Sequence, residues 1–122
     1  MATTAERLAR ANQVAEAALD RKAQDLVALD VSELTSYADT LLIATGTSDR
    51  HARSIADSIR EAAVARGEHP LGVEGYEEAR WVLIDLGDVI VHVFQREVRE
   101  AYDLERLWSD AQSLALSAAA TA

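Results

Sequence analysis

A chain of 122 residues, 49% hydrophobic and with a mean hydropathy of -0.07, has the size and balance of one soluble domain with a modest core. It has no cysteine, which excludes disulfides, thiolate catalysis and cysteine metal sites, and no apolar run approaches the roughly 20 residues that span a bilayer. A formal net charge of -9, with Lys22 the lone lysine, argues against a protein that binds nucleic acid by neutralising phosphates.

In chain order, Met1 to Arg7 lacks a basic segment followed by an apolar one. No signal peptide is therefore expected, and the cytoplasm is the expected location. Residues 4–24 read as a helix capped at Thr4, with Leu8, Ala11, Ala15, Ala18 and Leu19 on one stripe. Residues 25–31 read as a short buried strand, and residues 39–45 as a second strand whose near-continuous apolar run predicts burial on both faces. Gly46 to Asp49 breaks that strand and opens a helix to about Arg66, with Ser48 or Asp49 as N-cap. Ile55, Ile59, Ala62 and Ala63 give its buried stripe, and Gly67 is a natural stop. His69 to Gly75 is a short extended segment with turn residues at both ends. A hairpin follows, and a last helix is expected from Arg96 or Glu97 to about Asp110, with Ala101, Leu104, Trp108 and Ala111 on one stripe. Residues 113–122 form an alanine-rich tail expected to fray, which leaves a single domain over residues 1–112. The order predicts an α/β fold with a mixed sheet of about five strands flanked by helices.

The hairpin, Arg80 to Phe94, organises the rest. Its flanks are β-branched, aliphatic and aromatic, and Gly87-Asp88 suits a two-residue loop whose first residue needs positive φ. That loop pairs Leu86 with Val89, Ile84 with Val91 and Val82 with Val93 on one aliphatic face, which is the expected core. The other face pairs Trp81 with Phe94, Leu83 with His92 and Asp85 with Ile90. This mixed surface is either a second core or an open patch for a partner.

Charge is uneven along the chain. From Glu74 to Asp110, ten acids face four arginines, whereas Arg50, Arg53, Arg60 and Arg66 share one predicted helix. The excess acid serves solubility, or steers a basic protein partner to the C-terminal half.

Chemistry finds little support. Gly46-Thr47-Ser48-Asp49-Arg50-His51 lies at a strand-to-helix junction, where backbone N–H groups can hold a phosphate. Nucleotidyl transfer also needs carboxylates clustered on adjacent strands for Mg²⁺, and no Asp-x-Asp occurs. A helix cap is the simpler reading, and a small nucleotidyltransferase-like enzyme or nucleotide-binding module is the rival. His51, His69 and His92 lack metal-ligand spacing, so neither a metal nor a cofactor is expected.

Four ordered segments carry a resemblance: Ile43 to His51, Pro70 to Gly75, Arg80 to Phe94 and Tyr102 to Trp108. Over about residues 7–110 the chain resembles the ribosomal silencing factor family, also called Iojap-like. The resemblance implies a nucleotidyltransferase-like fold without the catalytic carboxylates, hence no enzyme. It implies a translational repressor that binds ribosomal protein fourteen of the large ribosomal subunit, on the face that meets the small subunit. The repressor's bulk would block subunit joining, above all when nutrients are scarce. It also implies a possible homodimer of the free protein, and a role in large-subunit assembly for organelle members. Carried residue by residue, the contact role falls on Trp81 as anchor, Asp85 as partner of a Lys or Arg, Leu83, His92, Tyr102 and Arg106. The family often has aromatics where this chain has Thr40-Leu41 and Ala101, and a Gly at the position of Ala79.

Overall fold

A computed structural model describes residues 2–117. Helix α1 (Thr4–Leu19) leads into β1 (Gln24–Asp30) and β2 (Thr40–Gly46); α2 (Asp49–Ala65) leads into β3 (Gly72–Glu74), β4 (Trp81–Asp85) and β5 (Val89–Gln95). Two short helices, α3 (Arg96–Tyr102) and α4 (Leu104–Leu107), precede β6 (Gln112–Leu114). The six strands form one mixed sheet in the order β3-β4-β5-β2-β1-β6, and β2 runs parallel to β5 while the other neighbours are antiparallel. No described helix is long and apolar enough to cross a membrane.

The hairpin has the expected register, with Trp81 opposite Phe94, Val82 opposite Val93, Leu83 opposite His92, Ile84 opposite Val91 and Asp85 opposite Ile90. The Leu86 N–H donates to the Val89 carbonyl at 2.9 Å, and Gly87 takes φ +91°, a conformation a side chain would strain. Val82, Ile84, Val89, Val91 and Val93 pack with Leu42, Ala44 and the small residues of α1 and α2 into the larger core. Each such valine or isoleucine contributes on the order of 1.5–3 kcal/mol by leaving water. Alanines at 11, 15, 18, 52 and 56 let both helices lie close to the sheet. All of β2 is buried, because it is central in the sheet and covered on both faces.

The opposite face carries a second cluster of Leu29, Val31, Leu41, Ile43, Ile90, Phe94 and Val98. Trp81, Leu83, Leu104, Trp108 and Ala111 close over it in part, so this face is a core roofed on one side by α3 and α4.

Four expectations change. The cap of α1 is Thr3, not Thr4: Thr3 Oγ1 accepts from the Glu6 N–H, and the Glu6 carboxylate accepts from the Thr3 N–H, a reciprocal capping box. That helix ends at Leu19 rather than 24, because polar Asp20-Arg21-Lys22 forms the turn and Lys22 takes φ 60°. The single C-terminal helix breaks at Asp103, whose φ of 47° separates α3 from α4 and leaves Ala101 exposed. The tail is ordered where it can be described: Gln112–Leu114 pairs with Ala28–Asp30 as a sixth strand, Leu116 is buried, and Ser117 bonds Asn12. Backbone pairing along β1 overrides the weak strand preference of Gln-Ser-Leu. The rest of the expected frayed tail, residues 118–122, lies outside the described residues.

Candidate functional site

Strand periodicity alone places Trp81, Leu83 and Asp85 of β4, with His92 and Phe94 of β5, on the second face. Helix α3 then lays Tyr102 across Trp81. The Trp81 ring lies 4.8 Å from Phe94 and 4.6 Å from Tyr102, centroid to centroid, in tilted pairs worth about 0.5–1.5 kcal/mol each beyond burial. His92 stacks on Phe94 at 5.9 Å and 11°. Trp81 and Leu83 are half-buried, while Tyr102 remains 60% exposed as the outer layer of the stack.

His92 is enclosed. Its Nδ1 accepts the Trp81 indole N–H at 3.0 Å. An indole N–H can only donate, so Nδ1 carries no proton and the neutral ring holds its hydrogen on Nε2. Burial pushes the His92 pKa down to about 4. The residue fixes Trp81 rather than presenting itself at the surface. Asp85 is also partly committed, its Oδ1 accepting the Gly87 N–H at 2.8 Å and holding the hairpin turn. Arg106 is exposed on α4, beside Leu107, which is 73% exposed. The structure thus brings Trp81, His92 and Tyr102 into one cluster, with Leu83 next along the strand. Asp85 lies at the hairpin end and Arg106 on the neighbouring helix.

The residue that sequence reading passed over is Arg99. It is buried on α3, and its Nη1 donates to the Asp25 carbonyl at 2.7 Å and to Thr45 Oγ1 at 2.8 Å, while Nε donates to Glu105 at 3.0 Å. It ties α3 and α4 to the ends of β1 and β2, and so sets where Tyr102 stands. No local pattern marks it, because its partners on β1 and β2 lie far away in the chain.

The strand-to-helix junction at Gly46 is consumed by structure. Ser48 Oγ accepts the His51 N–H at 3.0 Å and caps α2. His51 Nδ1 accepts the Thr47 N–H at 2.8 Å, and its Nε2 donates to the Arg21 carbonyl at 2.7 Å. A Cβ on Gly46 would meet the Ala52 nitrogen at 2.9 Å, so this glycine permits strand and helix to touch. Asp88 pairs with Arg10 and Asp85 holds its own turn, so the two do not form a carboxylate pair. Among the described residues no three His, Cys, Asp or Glu side chains group as metal ligands.

Comparison with known proteins agrees with the fold. The profile of a family described as ribosomal silencing factor during starvation matches residues 4–122. A ribosomal silencing factor of Bacillus subtilis is 47% identical over 92 residues, 75% of this chain and 78% of that protein. A mouse protein named for mitochondrial assembly of the ribosomal large subunit is 29% identical over 71% of this chain, which spans 40% of that longer protein. A crystal structure of a Chromobacterium violaceum protein superposes with a TM-score of 0.80 at 37% identity, covering 91% of this chain and 90% of its own. With a family profile covering almost every residue and a relative 47% identical over three-quarters of its length, the chain belongs to the ribosomal silencing factor family.

Proposed function

We propose that this chain represses translation by occupancy rather than chemistry. In this reading it binds ribosomal protein fourteen on the large ribosomal subunit and keeps the small subunit from joining, most strongly when nutrients are scarce. The observation that carries the reading is the half-roofed face: Tyr102, stacked on Trp81 yet 60% exposed, stands beside an acidic C-terminal run. Tyr and Trp are enriched at binding hot spots, and surrounding acid suits a basic protein. The mouse relative's name, with its large subunit, points the same way. Self-association of the free chain over the same face would be a resting state.

The test is co-sedimentation with large subunits, joined to light scattering of subunit association. The wild type should bind and slow association. Tyr102→Ala should bind about tenfold more weakly, a typical hot-spot loss, while circular dichroism stays unchanged. Arg106→Glu and Asp85→Arg report on the rim. Wild-type protein that neither sediments with large subunits nor slows their joining would overturn the reading. Light scattering of the protein alone and with its partner separates the resting dimer from the bound form.

A further inference from the structure

Beside the aromatic stack lies a cleft of about 400 Å³. Its apolar lining is Trp81, Val98, Ala101 and Tyr102, and its polar rim is Glu78, Arg80 and Glu97. Glu78 lies on the turn before β4, and Glu97 in the first turn of α3. Among the described residues neither carboxylate makes a hydrogen bond or ion pair, and both are exposed at the cleft.

We infer that this cleft receives an arginine side chain of the protein partner, its guanidinium stacked on the Tyr102 ring and paired with Glu97 and Glu78. The inference rests on the proposed function and names the chemistry of that contact. Aromatic faces and carboxylates together suit a planar cation. The aliphatic stem of arginine would lie along Val98 and Ala101. A purely apolar side chain would strip water from two carboxylates and return nothing. An anion would meet both of them, with Arg80 alone in its favour. Lysine could satisfy the charge but not the planar stack. Glu97 also suits the positive end of α3, a local role Glu78 cannot share, so the two residues are tested separately.

The chain has two tryptophans, so Trp108→Phe leaves Trp81 as the reporter. In that background, emission is titrated with acetyl-Gly-Arg-Gly-amide and with its lysine and citrulline counterparts. The arginine peptide should give a saturable change, the lysine peptide a weaker one and the neutral citrulline peptide none. Glu78→Gln and Glu97→Gln should each weaken arginine binding several-fold, by about tenfold when combined. Arg80→Ala should strengthen it, and that sign separates a cation pocket from an anion pocket, where the same change would abolish binding. The same variants are then sedimented with large subunits. If the wild type binds subunits and the glutamine variants match it while Tyr102→Ala fails, the arginine pocket is overturned and the proposed function stands. If the wild type does not bind subunits, the proposed function falls. The peptide series then decides the pocket alone, and the absence of a saturable arginine response overturns it.

Discussion

The indole N–H of Trp81 donates to Nδ1 of His92 at 3.0 Å, inside a face where His92 is only 7% exposed. Protonating Nδ1 would set two donors against each other, and burial already holds the His92 pKa at about 4 against a usual value near 6.5. The unfolded chain takes up the proton first as pH falls. The contribution of neutral His92 is therefore complete above pH 6.5 and is lost between about 6.5 and 4, some 3 kcal/mol in all. Urea denaturation across that window measures it. His92→Asn keeps an acceptor but cannot titrate, so its stability should fall less steeply with acid. Parallel slopes for the two proteins would mean that His92 is not the group responsible.

Arg10 forks between two carboxylates. It meets both oxygens of Glu68 at 2.6 and 2.9 Å and both oxygens of Asp88 at 3.0 and 3.2 Å, joining α1 to the segment just after α2 and to the hairpin turn. The Arg10 guanidinium holds the Glu68 carboxyl below its usual range. These carboxylates are partly exposed, so the expected loss for Arg10→Lys, which keeps the charge but not the fork, is modest, about 1 kcal/mol. It should shrink in high salt, and thermal melts at low and high ionic strength would show it. A loss unchanged by salt would place the effect in packing of the arginine stem instead.

Where a single physical rule decides, the sequence was readable. Alternation along Trp81–Asp85 and Val89–Phe94, with Gly87 at the turn, determines the hairpin register and the face on which Trp81, Leu83, Asp85 and His92 lie. The cap, narrowed to Ser48 or Asp49 and found at Ser48, and the Gly46 junction follow from local chemistry in the same way. What long-range contacts decide was not readable. Asp103 takes a left-handed conformation against its helical surroundings, next to a helix pinned by Arg99. The sixth strand exists because β1 offers it an edge, and His92 is buried because the Trp81 ring of β4 and the Phe94 ring of β5 pack against it.

The junction at Gly46 permits a sharp test between a close-packed cap and a phosphate loop. Gly46→Ala forces a Cβ to within 2.9 Å of the Ala52 nitrogen, so strand and helix must part, at a cost of about 1–3 kcal/mol. Ser48→Ala removes the α2 cap and should cost about 1 kcal/mol. Both losses are read from urea midpoints, and added ATP with Mg²⁺ should shift neither the wild type nor the variants. A nucleotide-dependent rise in the wild-type midpoint would revive the phosphate reading.

Arg99 connects stability to the candidate site. Arg99 is 8% exposed and its guanidinium bonds the Asp25 carbonyl and Thr45 Oγ1, so Arg99→Met strands two acceptors and frees one end of the α3–α4 roof. A loss of about 3 kcal/mol is expected from breaking charged hydrogen bonds in a buried setting. Arg99→Lys, with its shorter reach and single nitrogen, should fall between. Amide exchange should quicken more across Arg96–Tyr102 and Leu104–Leu107 than across Thr4–Leu19, because α1 packs on the other face of the sheet. Binding to large subunits should fall in the same variant although Tyr102 is intact, since the helix carrying that ring has lost its anchor. Exchange that rises uniformly through the chain would show that Arg99 supports the whole fold and does not specifically position Tyr102.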